Sequence, residues 1–225
     1  TSTTLVNAYL SPVMSAYVQR IDQYFRNLGA QQPVRYFQSN GGLAVGNVMR
    51  ERAVNAINSG PASAPQAGLY IAAPFGINDV ITIDMGGTSF DITMARDGQT
   101  SLNRIGVPMI HVETLGAGGG SIAHINSFGM LEVGPQSAGA NPGPASYNKG
   151  GTLPTVTDAN LVLGYLKPGA VLGNSITLDA SKARQAIEEH IAQPLGIGVD
   201  HAARGISTIV NQNMANGIRR ITIEQ

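Results

Sequence analysis

Asp84, Gly86, Gly87, Thr88 and Asp91 stand together in ITIDMGGTSFDITMARD (81–97), two apolar, β-branched runs joined by a Gly-Gly turn with a carboxylate at each edge. Gly86 and Gly87 carry no Cβ and can take positive φ at little steric cost, so their N–H groups can approach an anion closely. Thr88 adds a hydroxyl donor. Asp84, where the first run meets the turn, is placed to hold a hydrated divalent cation beside phosphates. The competing reading is an ordinary hairpin whose glycines serve only the turn. An acid on both sides, the absence of other charge between Val80 and Asp84, and a second glycine-rich run at 116–120 favour a phosphate-holding hairpin. A Walker-type loop does not fit, because it ends in Gly-Lys-Ser/Thr and opens a helix, whereas here SFDITMA follows as a strand.

The second run, GAGGGS, concentrates donors without side chains at Gly118, Gly119 and Gly120 and sets Ser121 at the start of a further strand. It can follow a nucleotide closely or form a flexible or tightly packed turn. His111 and Glu113 share one side if 110–114 is extended, which makes them a candidate ligand or base pair against a plain hydrogen-bonded site. His124 reads as structural or surface, and His190 and His201 sit at a helix end and a helix start, where local hydrogen bonding suffices.

The elements around these residues follow from periodicity. Thr3 or Thr4 can cap a helix in which Leu5, Tyr9, Val13, Tyr17, Ile21, Phe25 and Leu28 form an apolar face, with Gly29 as its stop. Pro12 either kinks this expected core helix or marks its true start. VRYFQSN (34–40) reads as a strand, 44–52 as weakly helical, and NAINSGPAS (55–63) as an apolar run opening a helix at Gly-Pro. After the hairpin, Asp97-Gly98 signals a turn into a third strand near 100–107. The stretch 129–151 is expected to be a long polar loop. Thr157 or Asp158 is expected to cap a short helix ending near Lys167-Pro168. Asp179 caps a helix with Ala183, Ile187 and Ile191 on one face, and Asp200 opens one with Ile206, Ile209, Val210, Met214 and Ile218 inward. ITIEQ (221–225) alternates like the beginning of a strand, which points to a fragment of a longer chain.

Composition narrows the classes. The 225 residues are 43% hydrophobic and only 12% charged, with a formal net charge of zero. That balance gives no electrostatic footprint for nucleic acid or an anionic membrane, and 5% aromatic content offers no base-stacking platform. With no cysteine, disulfides and thiolate metal sites are excluded. No run approaches the ~20 apolar residues of a membrane span, and TSTTLVNAYLSP lacks the basic and apolar regions of a signal peptide, so a cytoplasmic protein is expected.

VNAYLSP, QSNGGL, SGPA, IDMGGTSFDI, ETLGAGGGSIA, LEVGPQSAGANPGPASY and PTVTDANLVLG follow one another in an order and wording that resembles the hydantoinase A/5-oxoprolinase family over nearly the whole chain. The resemblance implies an α/β fold: a ribonuclease-H-like half of the actin, heat-shock chaperone and sugar-kinase ATPase superfamily, with flanking helices. On that pattern 1–225 is part of one hydantoinase A-type domain, with a mixed helical lead-in (1–78), a strand-rich nucleotide-binding part (79–150) and a helical part (151–225). The implied activity is ATP-dependent hydrolysis of a cyclic amide such as hydantoin, 5-oxoproline or a lactam. Ketone carboxylation by a subunit of the same family, or a non-catalytic assembly module, are the alternatives.

Carried over motif by motif, the resemblance makes Asp84, Gly86, Gly87 and Thr88 one of two phosphate loops, with Asp84 acting on Mg2+ through water and Asp91 supporting the loop or the attacking group. Gly118, Gly119, Gly120 and Ser121 would line the nucleotide cleft, and Gln136, Ser137 and Asn141 would lie near it or near a partner contact. Relatives commonly read ADPGPACYG where this chain has Asn141, Ser146 and Asn148, which removes a carboxylate at Asn141. ATP and Mg2+ are the implied cofactors. A hydantoinase B-type subunit or domain and a small cyclic amide are the implied partners, in an oligomer for the full-length form. Relatives also carry a second DxGGTxTD loop upstream of the VNAY motif and a glycine-rich adenosine motif beyond the last helix. The 225-residue chain alone is therefore expected to be a folded piece of an enzyme that binds ATP weakly.

Overall fold

A computed structural model describes residues 1–105, 107–173 and 176–223. It is a mixed α/β structure in two compact units, Thr1–Ile83 with Ile92–Glu113, and Asp84–Asp91 with Thr114–Gln225.

In the first unit α1 (Ser2–Asn27) is capped by Thr1, whose side chain accepts from the Thr4 N–H, and Gly29 leaves it at φ 88°. The cap is therefore earlier than Thr3 or Thr4, and Pro12 lies inside the helix without ending it. The expected core face is not the buried one. Leu5, Tyr9, Val13, Tyr17, Phe25 and Leu28 are exposed, while Val18 is fully buried against Ala44 and Met49, with Met14, Tyr36 and Val48 beside them. Asn7 ties α1 to the following segment, accepting from Val54 N–H at 3.0 Å and donating to the Glu51 carbonyl at 3.0 Å. The Tyr36 hydroxyl donates to Asp22 at 2.7 Å, and burial, followed by that bond, pushes the phenol well above its ordinary pKa. Strands β1 (Arg35–Phe37) and β2 (Leu43–Val45) pair antiparallel, α2 spans Gly46–Glu51, and α3 (Ser59–Ala72) opens at Gly60-Pro61.

Strands β3 (Val80–Met85) and β4 (Phe90–Arg96) form the expected hairpin, and β4 turns at Asp97-Gly98 into β5 (Gln99–Thr100), pairing Ala95 with Thr100. Both turn residues have positive φ, 52° and 73°, as such a tight turn requires. The single strand expected near 100–107 is instead β5, β6 (Leu102–Ile105) and β7 (Val107–Ile110), of which β6 and β7 make their own hairpin; Gly106 lies outside the described residues.

In the second unit β8 (Glu113–Leu115) leads through the glycine run to the antiparallel pair β9 (Ser121–Ile125) and β10 (Leu131–Ser137), in which His124 faces Glu132 at 3.4 Å. The 129–151 stretch is thus not simply a loop. It contains β10 and a 3-10 turn at Ala145–Tyr147. Helix α4 (Val156–Val162) is capped by Thr155, not by Thr157 or Asp158; Thr155 and Asp158 form a reciprocal capping box. After the short pair β11 (Val171–Leu172) and β12 (Ile176–Thr177), α5 (Ala180–Ile187) begins at Asp179, which accepts from the Ser181 and Lys182 N–H groups. It runs through a π-turn at Glu188–Ala192 into α6 (Gln193–Leu195).

Ala183, Ile187 and Ile191 are buried as their spacing predicts. Helix α7 (Val199–Ile223) turns Ala202, Ala203, Ile206, Val210 and Ile221 inward, with Ile209, Met214 and Ile218 half-buried. The helix continues through Ile221–Ile223, where a strand was expected, because Ile221 stays on the buried stripe; Glu224 and Gln225 lie outside the described residues. No helix among the described residues is long and apolar enough to cross a membrane.

Candidate functional site

The turn between β3 and β4 and the glycine run belong to the same unit, and backbone hydrogen bonds lock one to the other. The turn closes on itself through the Gly86 N–H, which donates to the Ser89 carbonyl at 2.9 Å. Gly119 N–H then donates to the Gly86 carbonyl at 3.0 Å, and Gly120 N–H to the Gly87 carbonyl at 2.7 Å. This approach demands glycine on the run: a Cβ at Gly118 would lie 2.7 Å from the Gly87 carbonyl atoms and the Thr88 nitrogen, and one at Gly120 would lie 2.9 Å from the Gly87 oxygen.

These bonds decide which way the turn's donors point. In a planar trans peptide the C=O and the N–H of one unit point in opposite directions. The Gly86 carbonyl shares its plane with the Gly87 N–H, and the Gly87 carbonyl with the Thr88 N–H. Because the glycine run grips both carbonyls, both N–H groups are turned away from it. Among the described residues neither N–H has a hydrogen-bond partner, nor does the Thr88 hydroxyl, and residues 84–88 are all exposed. The Asp84 carboxylate likewise has no hydrogen bond or ion pair among the described residues. Asp91 is held instead, accepting from the Thr114 hydroxyl of β8 at 2.6 Å.

Of the two properties expected of the turn's glycines, positive φ is absent. Neither Gly86 nor Gly87 has positive φ, a Cβ at Gly86 would make only an ordinary contact at 3.6 Å with the Ser89 carbonyl, and one at Gly87 would meet nothing within 4 Å. Neither conformation nor packing requires glycine at 87. The missing side chain leaves open space at Gly87, in a turn whose two outward N–H groups could meet an anion.

The glycine run has the opposite character. Gly118 N–H donates to the Ser121 hydroxyl at 2.8 Å, and Gly119 and Gly120 spend their N–H groups on the turn, so all three donors proposed for a nucleotide are used internally. Ser121 is buried and serves as that internal acceptor. The run is in turn held from behind, since Thr157 donates to the Gly119 carbonyl through both its N–H and its hydroxyl, each at 2.8 Å, and Ala138 N–H donates to the Gly120 carbonyl at 2.9 Å.

Beneath Thr157 lies Asp158, fully buried, whose carboxylate accepts from Ala145 N–H, Ser146 N–H, Thr155 N–H and the Thr155 hydroxyl at 3.3, 2.8, 2.9 and 2.8 Å. The segment 138–146, which carries Asn141, is therefore pinned near both ends. Ser137 accepts from Gly139 N–H at 3.1 Å, and its hydroxyl lies 2.9 Å from where a Gly120 Cβ would stand; Gln136 is exposed. Thr155, Thr157 and Asp158 are the residues that sequence reasoning missed as parts of the site. The Thr-x-x-Asp spacing of a capping box was the available signal.

His111 and Glu113 are both half-buried and flank the break between two strands. β7 ends at Ile110 and β8 begins at Glu113, and His111 and Glu113 each have an interaction within the chain. Among the described residues no three histidine, aspartate or glutamate side chains converge on a metal position. A single carboxylate beside outward N–H groups would fit Mg2+, which keeps most of its waters when phosphate oxygens share its coordination.

A family model described as hydantoinase/oxoprolinase matches residues 1–225. The caprolactamase alpha subunit of Pseudomonas jessenii is 68% identical over 233 residues, covering 100% of this chain and 34% of the relative. The crystal structure of ATP-dependent caprolactamase from Pseudomonas jessenii matches with a TM-score of 0.83 over the whole chain and 34% of that structure's chain. The nucleotide-free structure of acetone carboxylase, an enzyme of ATP-dependent acetone carboxylation, matches with a TM-score of 0.85 at 26% identity, covering 98% of this chain and 32% of that one. The chain thus spans about a third of the length of these relatives. These likenesses bear out the α/β, actin-like ATPase fold class expected from the sequence.

Proposed function

The chain belongs to the hydantoinase/oxoprolinase family, and from that premise we propose that it supplies one phosphate-binding jaw of an ATP site in an ATP-dependent cyclic-amide hydrolase. The observation that carries this is the exposed turn at Gly87, a glycine that neither φ nor packing requires, where two N–H groups turn away from the glycine run. Gly87 N–H, Thr88 N–H and the Thr88 hydroxyl receive phosphate oxygens. Asp84 holds Mg2+ through water, and the cation supplies charge neutralisation between phosphate groups when bound. Asp91, fixed by Thr114, supports the turn from the first residues of β4.

In this reading the γ-phosphoryl group passes to the amide oxygen of a lactam, hydantoin or 5-oxoproline ring, leaving ADP; water adds to the activated ring carbon, the ring C–N bond breaks to free the nitrogen, and a second water releases the phosphoryl group as inorganic phosphate. The protein's share is positioning and electrostatic stabilisation. In this proposal a hydantoinase B-type subunit completes the hydrolysis in a cytoplasmic oligomer; the subunit name of the caprolactamase relative supports a multisubunit enzyme, and its ATP dependence supports the ATP site. The likeness to acetone carboxylase supports a second reading, in which the same ATP site serves ketone carboxylation.

Asp84→Ala in the full-length enzyme assembled with its partners tests the jaw. Loss of ATP turnover with assembly intact is the expected result. Unchanged turnover would make this stretch an assembly module.

A further inference from the structure

We infer that Thr157 is a positioning residue for the phosphate turn, acting through Gly119; this rests on the ATP-site reading above. The chain of contacts is short and unbroken. Thr157 sits in the first turn of α4 and places two donors on one acceptor, the Gly119 carbonyl, its N–H at 2.8 Å and its hydroxyl at 2.8 Å. The peptide units on either side of Gly119 present their N–H groups to the turn, Gly119 N–H on the Gly86 carbonyl at 3.0 Å and Gly120 N–H on the Gly87 carbonyl at 2.7 Å.

The Gly119 carbonyl and the Gly120 N–H share one planar unit, so fixing the oxygen fixes the direction of the N–H. That N–H sets the plane of the Gly87–Thr88 peptide, and so the aim of the Thr88 N–H at a phosphate. Two donors on one carbonyl hold its direction more tightly than one. The hydroxyl is therefore the part of Thr157 that secures direction, because α4 would place its backbone N–H there in any case.

The footing of Thr157 is equally fixed. Asp158, the next residue, is fully buried and binds the 145–146 turn and Thr155 together, so the first turn of α4 cannot drift. Gly119 is also tight against the threonine, since a Cβ there would lie 2.9 Å from the Thr157 hydroxyl. The result is a support three layers deep, from Asp158 to Thr157 to Gly119, behind a turn whose outward face carries no side chain at Gly87.

The test uses three variants in the full-length, partner-assembled enzyme, together with amide exchange on the 225-residue chain. Thr157→Val keeps the shape and the backbone donor and removes the hydroxyl, Thr157→Ser restores it, and Asp84→Ala reports on the ATP site itself. Thr157→Val is expected to lower kcat for ATP turnover about tenfold, the range seen when an outer-layer hydrogen bond is lost, with Thr157→Ser near wild type. In the isolated chain the Gly120 N–H should exchange about tenfold faster in Thr157→Val while the Ser146 N–H held by Asp158 keeps its rate.

Equal turnover in Thr157→Val and wild type, with Asp84→Ala inactive, overturns the positioning role while leaving the ATP site standing. Uniform acceleration of all amides in Thr157→Val shows a merely structural residue and overturns it too. Unchanged turnover in Asp84→Ala sinks the ATP-site reading instead.

Discussion

Gly118→Ala and Gly87→Ala are the same chemical change on two sides of one contact, and the structure gives them opposite signatures. At Gly118 the new methyl would stand 2.7 Å from the Gly87 carbonyl carbon and oxygen and from the Thr88 nitrogen. Comfortable carbon contacts begin near ~3.5 Å, so either the glycine run or the turn must give way by about 0.8 Å. All three obstructing atoms are backbone, so no side chain can rotate aside. Overpacking of this kind costs about 1–3 kcal/mol, and a displacement near 1 Å in a positioning group costs on the order of 100-fold in rate. Gly118→Ala should therefore lose stability, read by thermal or urea unfolding of the chain, and also lose ATP turnover, read by phosphate release in the assembled full-length enzyme.

At Gly87 the methyl meets nothing within 4 Å and φ is not positive. Replacing glycine there leaves stability unchanged or raises it by about 0.4–1 kcal/mol through the unfolded chain, yet it closes the approach to the two outward N–H groups and lowers turnover. Gly87→Ala with full turnover, or Gly118→Ala with both quantities unchanged, would refute the division of labour between the two glycine runs.

Asp158→Ala leaves the N–H groups of Ala145, Ser146 and Thr155 without their acceptor in a buried place; at about 1–3 kcal/mol for each orphaned group, urea unfolding should show a loss of roughly 3 kcal/mol or more. Ser146 is itself fully buried, and its hydroxyl has no hydrogen-bond partner among the described residues. Ser146→Ala should thus be neutral or stabilising by about 1 kcal/mol in the same assay. The Ser181 hydroxyl, and after it the Lys182 N–H, hold the Asp179 carboxyl below its ordinary pKa. The stability this cap contributes is present above the unfolded pKa of about 3.9 and is lost as pH falls through the lower folded value. Thermal melts of Asp179→Ala should therefore fall below wild type at pH 7 and converge with it in acid.

The parts legible in the sequence are those that local chemistry decides. The hairpin at 80–96, the turn at Asp97-Gly98, the Asp179 cap and the buried faces of α5 and α7 all follow from periodicity and turn residues within a few positions. On α1 the same periodicity correctly grouped Leu5, Tyr9, Val13 and Tyr17, but periodicity names a face and not what lies against it; Val18 is the buried residue. The donors of Gly118, Gly119 and Gly120 looked available because composition does not reveal that carbonyls of the turn accept two of them. In the sequence Thr157 and Asp158 are alternative caps, and only the fold shows one gripping Gly119 and the other binding the 145–146 turn. The exposure of Asp84 and Thr88 follows from a local turn and needs no tertiary contact to be foreseen.

The central claim is that Gly87 and Thr88 aim their N–H groups at phosphate while Gly119 and Gly120 hold the other side of the same peptide units. A crystal structure of the full-length protein with Mg2+ and a non-hydrolysable ATP analogue tests it most directly. The account predicts phosphate oxygens within hydrogen-bond distance of the Gly87 and Thr88 nitrogens, a Mg2+-bound water on Asp84, and Gly119 and Gly120 still bonded to the turn. Phosphate oxygens bound instead by the Gly119 and Gly120 nitrogens, with the turn released, would contradict it.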